Sequence, residues 1–179
     1  YGKIEDGLPR WHEKQRLSEY SKIDEVMAHD LVDFIPLTKV GDHIDFEEIY
    51  DMNWSCVYFA NGAWRDRLFP IKGVEEFSNF YYQSSFVYWF NHYHEDDYNG
   101  PEVVIQDNIL VVGGGLASID VCKITQMELV KEKIQSRVKN VDVIAMEHKG
   151  IPRYLEEHNI DYNSLGIKIK ENRLIGSQN

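Results

Sequence analysis

Apolar residues recur at helical spacing along much of the chain. In PRWHEKQRLSEYSKIDEVMAH, Leu17, Tyr20, Ile23, Val26 and Met27 fall three or four positions apart, which predicts a helix. DLVDFIPL then reads as a short strand stopped by Pro36. In GDHIDFEEIY, Asp45 is placed to cap a short helix, with Glu47 and Glu48 against the positive end of its dipole. SCVYFANGA reads as a strand from Cys56 to Phe59 running into a turn at Gly62. The stretch 77–98 holds 10 aromatic residues in 22 positions. Phe86, Trp89, Phe90 and Tyr93 fall at i, i+3, i+4 and i+7, a helix stripe that Ser84 or Ser85 can cap. YNGPEVVIQD reads as a loop. Beyond it, Ile119, Cys122, Ile124, Met127, Val130, Ile134 and Val138 predict one long or two successive helices, and NVDVIAME reads as a second strand.

Composition and charge narrow the field. The chain has 179 residues, 43% hydrophobic and 13% aromatic, enough for one good core or two small domains. No apolar run reaches the ~18–20 residues of a membrane span, and the opening YGKIEDGLPRWHEK has no signal-peptide core. The net charge is −11, and −10 of it lies in the first hundred residues. That acidity repels phosphate backbones, and no basic residues interleave the aromatic stretch. Both facts argue against a nucleic-acid partner and for aromatic packing in a core or between domains. Cys56 and Cys122 fit neither a redox pair nor a zinc site; they read as small buried hydrophobes in a reducing, cytoplasmic setting. His92, His94, Glu95, Asp96 and Asp97 suggest a helix end and a solvated loop more than a metal site, so no metal ligand is assigned. No serine sits in a nucleophile elbow.

The chemistry centres on NILVVGGGLASIDVCKI, residues 108–124. An apolar run enters three glycines and leaves as a helix. Gly113 permits a tight turn, and Gly115 lets a pyrophosphate approach the backbone. Gly114, Leu116 and Ala117 fill the turn, and Ser118 is the small residue where helix and strand pack closely. With the following strand ending at Glu147, the order is that of a βαβ unit. The expected fold class is therefore α/β, a Rossmann-like βαβ dinucleotide-binding module with part of a flanking flavin domain. Glu147 can accept hydrogen bonds from ribose hydroxyls, which favours NAD. His148 and Lys149 follow and suit a 2′-phosphate, so NAD against NADP stays open with a lean to NAD. A methyltransferase-type glycine loop and a glycine turn with no ligand are the other readings.

The motifs also resemble a family. VYFANGAWRDRLFPIKGVEEF resembles the ATGA…R…IPG segment of FAD-dependent pyridine-nucleotide oxidoreductases. SSFVYWFNHYHEDDY, the glycine turn and VDVIAMEHKG resemble the NAD(P) region of the adrenodoxin-reductase and glutamate-synthase small-subunit branch. YGKIEDGLPR and VGDHIDFEEI also match segments there. The resemblance implies part of an FAD-binding domain over residues 1–66 and an NAD(P)-binding domain over 67–179, within a longer enzyme. It implies that hydride passes from NAD(P)H to FAD and that electrons go on to an iron–sulfur partner or another acceptor. By position, Gly113, Gly115 and Ser118 would cradle the pyrophosphate, and Glu147, His148 and Lys149 would face the adenosine ribose. Asn61 and Gly62 would lie at the crossing near the FAD. Asn61 stands where the family has threonine, and the family's N-terminal flavin fingerprint is missing. No side chain need act as acid or base, because the cofactors carry the chemistry. The alternative from another class is a non-catalytic nucleotide-binding or interaction domain that has lost the flavin.

Overall fold

The computed structural model describes residues 2–63, 65–136, 139–161 and 163–165. Seven α-helices form among them: α1 (Lys3–Asp6), α2 (Glu13–Met27), α3 (Phe46–Asp51), α4 (Gln83–His92), α5 (Leu116–Gln135), α6 (Val143–Lys149) and α7 (Ile151–Glu157). Short 3-10 turns occupy Val74–Glu76 and Asn163–Leu165. Among the described residues no strand forms, and the one isolated bridge joins Val40 to Ile44. The expected Rossmann-like βαβ module, and the α/β class with it, is therefore corrected: the described chain is helical.

Helices form where their signals are local. Asp45 caps α3 and Glu48 reaches back to the Asp45 N–H at 2.8 Å, a reciprocal capping box. In α4 the predicted stripe buries Phe86, Trp89 and Phe90. Its cap differs from expectation: Tyr82 takes the N-cap position, Ser85 Oγ donates to the Tyr82 carbonyl, and Ser84 Oγ donates to Asp66. The predicted helix after the glycines is α5, a single one of 20 residues, with Val138 lying outside the described residues.

Strands fail because a strand needs a partner to receive its N–H and C=O groups. Residues 31–37 run as turn and irregular chain, with Leu31 88% and Leu37 97% exposed. Cys56–Phe59 and Ile109–Val112 are likewise unpaired, and this leaves Cys56 exposed where a buried thiol is expected. The predicted strand NVDVIAME is helical for a specific reason. Asp142 caps α6 by accepting from the Ala145 N–H at 2.9 Å, and Ala145 and Met146 are good helix formers. The cap is worth about 1 kcal/mol. Asp142→Ala should lower the unfolding free energy by that amount and shift the urea midpoint down accordingly, and an unchanged midpoint would count against the capped helix.

The core has two parts. Phe86, Val87, Trp89, Phe90, Ile124 and Met127 join α4 to α5. Ile134, Met146, Tyr154, Leu155 and Leu165 join the far end of α5 to α6 and α7. Ile124, Met127 and Ile134 share one stripe of α5, so this helix threads both clusters.

Candidate functional site

The glycine turn lies at the surface, directly ahead of α5. Gly113 has φ +149°, and a Cβ there would run into Ser118 Oγ. Glycine is favoured at that point by the backbone conformation, while the contact is with the tip of a serine side chain that can turn away. Gly114 and Gly115 differ: a Cβ on either meets nothing within 4 Å. Gly115 is the N-cap of α5 and no side chain caps the helix start. The Ser118 N–H closes a turn on the Gly115 carbonyl at 3.0 Å. Leu116 is 82% exposed, and Ala117 is exposed beside it. The result is an open, uncapped helix start with the partial positive charge of its dipole facing solvent.

Glu147, His148 and Lys149 end α6 rather than a strand, and each is engaged. Glu147 has a side chain 3% exposed and takes a two-pronged contact from Arg10, with Arg10 Nε at 2.6 Å from Oε2 and Nη2 on Oε1. His148 Nδ1 lies 3.9 Å from Glu13, and Lys149 pairs with Glu157. Asn61 and Gly62 lie in exposed, irregular chain, with Gly62 at φ +71°. Among the described residues, no hydrogen bond or ion pair joins Asn61 or Gly62 to the glycine turn or to residues 147–149.

Arg10 is the residue that sequence reasoning missed, and it organises this region. Its Nη1 donates to the Phe90 carbonyl, and its guanidinium lies 4.2 Å from the Phe90 ring centroid. Its own N–H donates to Asn91 Oδ1 at 2.9 Å. The buried Asn91 amide in turn donates to the Glu5 and Leu8 carbonyls at 3.0 and 2.9 Å. Burial opposes the charge on Arg10, but the Glu147 carboxylate outweighs it and holds the guanidinium above its ordinary range. A lone arginine after Leu8-Pro9 carries no sequence signal for a partner 137 positions away. From the end of α4, Tyr93 Oη donates to Glu128 of α5 at 3.1 Å and accepts from Lys131 of α5. Burial pushes the Tyr93 phenol up, and Tyr93 with Glu128 holds Lys131 above its ordinary value against its own burial.

His94 stands 3.0 Å from Arg10 Nη1 through its Nδ1, which must therefore accept and be unprotonated. Burial first, then the Arg10 charge, push its pKa below the ordinary imidazole value. The unfolded chain binds this proton more readily, so the stability involved is complete above pH about 6.5 and is lost as pH falls through the folded-state value. The stability gap between wild type and His94→Gln should narrow as pH falls from 7 to 5.5 in thermal melts. A gap independent of pH would rule out this pairing.

An open groove of about 320 Å³ runs between Val103–Ile105 and α5, lined by Trp89, Glu128 and Lys131. It includes none of the sequence-predicted site residues. Among the described residues, no group of three or more His, Cys, Asp or Glu side chains is arranged to hold a metal, and no helix is long and apolar enough to cross a membrane. Comparison with protein-family models, curated proteins and solved structures gives no match. The resemblance to the flavoprotein oxidoreductases thus rests on the motifs themselves.

Proposed function

We propose that this chain binds NAD(P)H through the glycine turn at 113–118, as part of a flavoprotein oxidoreductase that passes hydride to FAD and electrons on to an iron–sulfur or other acceptor. The observation that carries the reading is the run Gly113-Gly114-Gly115 opening directly into an uncapped 20-residue helix. Its exposed start suits an anion, and the missing side chains at Gly114 and Gly115 leave room for a pyrophosphate at the backbone. The nicotinamide supplies the hydride when it is bound. The part of this chain is to hold the pyrophosphate and orient what is attached to it. Around Asn61 and Gly62 the described residues form no cradle for a flavin, so no step through FAD is assigned to them. That same observation favours a second reading, a nucleotide-binding or interaction domain without a flavin. Flavin absorbance in the purified parent protein separates the two.

The test is calorimetric titration with NADH and with NADPH. A Cβ at Gly115 meets nothing within 4 Å, so Gly115→Trp should keep the fold, checked by its melting temperature, while binding is lost. Retained binding in that variant would remove the glycine turn from the site. Preference for NADPH over NADH would assign selectivity to His148 and Lys149 rather than Glu147.

A further inference from the structure

Two Asn-Gly dipeptides occur in the chain, Asn61-Gly62 and Asn99-Gly100. In such a pair the main-chain nitrogen of the glycine can attack the side-chain amide carbon of the asparagine and close a succinimide ring. The approach needs rotation about the backbone between the two residues. Glycine obstructs it least, because it has no Cβ and accepts unusual dihedrals. The structure treats the two dipeptides differently. Asn61 and Gly62 are both exposed, and a Cβ on Gly62 would meet nothing within 4 Å. Among the described residues, no backbone hydrogen bond involves positions 55–63, so none restrains the peptide planes beside Asn61. Asn99 is exposed as well, but Gly100 is half-buried under the Tyr98 ring, and a Cβ there would run into that ring and its hydroxyl. Tyr98 is itself pinned. Its Oη donates to the Pro101 carbonyl at 2.7 Å, its N–H donates to the Glu95 carbonyl at 3.1 Å, and its ring packs against the first core cluster. Pro101 further restricts the backbone of Gly100.

We propose that Asn61 is a self-modification site, at which the Gly62 nitrogen attacks the Asn61 side chain, and that the fold directs this reaction to Asn61 and away from Asn99. The Gly62 nitrogen gives up its proton, its bond to Asn61 Cγ forms, the Cγ–Nδ2 bond breaks, and the amide leaves as ammonia with a proton taken up. Water then opens the ring at either carbonyl. One opening leaves aspartate at position 61, and the other leaves isoaspartate, in which the main chain runs through the side-chain carbon. Nothing is oxidised or reduced, and only water is consumed. Either product adds a negative charge to the first hundred residues, which already carry −10. The isoaspartate form also lengthens the backbone within the exposed segment. The inference does not depend on the nucleotide reading of the glycine turn.

The experiment ages the chain in heavy-oxygen water at mildly alkaline pH and scores label uptake and isoaspartate at both dipeptides by peptide mass spectrometry. Asn61 should convert several-fold faster than Asn99, and faster as pH rises, since the attacking nitrogen must lose its proton. In concentrated urea the two rates should converge, because Tyr98 no longer covers Gly100 there. Gly62→Val should slow conversion at Asn61 several-fold, with its fold checked by melting temperature. The comparison of the two sites within wild type decides the matter whether or not that variant folds. Equal rates in the native chain, a faster reaction at Asn99, or a native ratio that persists unchanged in urea would overturn the proposal. So would an Asn61 that stays unconverted, or one that converts without any isoaspartate.

Discussion

Arg10→Met should lower stability by about 3–5 kcal/mol, because it leaves the Glu147 carboxylate buried without its partner. The pair is well shielded, with side chains 15% and 3% exposed. A pair at the surface would be worth a fraction of this. Arg10 also donates to the Phe90 carbonyl and stacks on its ring, so those contacts go as well. Most of the cost is the stranded charge, not the lost attraction. Arg10→Met/Glu147→Leu should therefore recover the larger part of the loss, since apolar replacements of similar size remove the charge along with its partner. Urea unfolding of the two single variants and the double variant closes the cycle. A coupling energy below about 0.5 kcal/mol would show that the two side chains do not meet in solution.

Phe90→Ala should cost about 3–5 kcal/mol through lost burial and the cavity left behind. Phe90 is fully buried and touches elements far apart in sequence: Trp11 edge-on, the Arg10 guanidinium on its face, and the α5 side of the first cluster. Phe90→Leu keeps most of the volume and should cost distinctly less. The loss should also loosen residues 8–12, visible as faster amide exchange at Arg10 than in wild type. Equal stability of Phe90→Ala and wild type would mean that this cluster is not the core.

How much was legible follows from how local each signal is. The capping box at Asp45, the aromatic stripe of α4 and the helix after the glycines are all set by residues within a turn or two of one another. The strand readings at 30–37, 56–59, 109–112 and 140–147 failed for two distinct reasons. At 140–147 a local competitor was overlooked: Asp142 is an N-cap with its receiving N–H three residues on. At the other three sites the apolar run was real, but whether a run becomes a strand depends on a second strand to pair with. No window of sequence contains that information. The α2 pattern shows the converse limit. Leu17, Val26 and Met27 have helical spacing and sit in a helix, yet all three remain exposed. Periodicity predicts the element and not the surface that will cover it.

The candidate site divides in the same way. By itself the sequence determined that a glycine-rich turn opens a helix at 115–116, since three glycines and a following apolar periodicity specify it locally. It also determined the acidic balance and the helical character of 13–27, 46–51 and 83–92. Only the tertiary structure decided that Glu147 belongs to a helix and is held by Arg10, that Asn91 clasps the backbone at Glu5 and Leu8, and that residues 10–13 bridge α5 to α6. Those contacts span between 83 and 137 positions and link polar groups with no periodicity. A charge finds its partner through the packing of the helices that carry it, and that packing is fixed by which apolar faces meet.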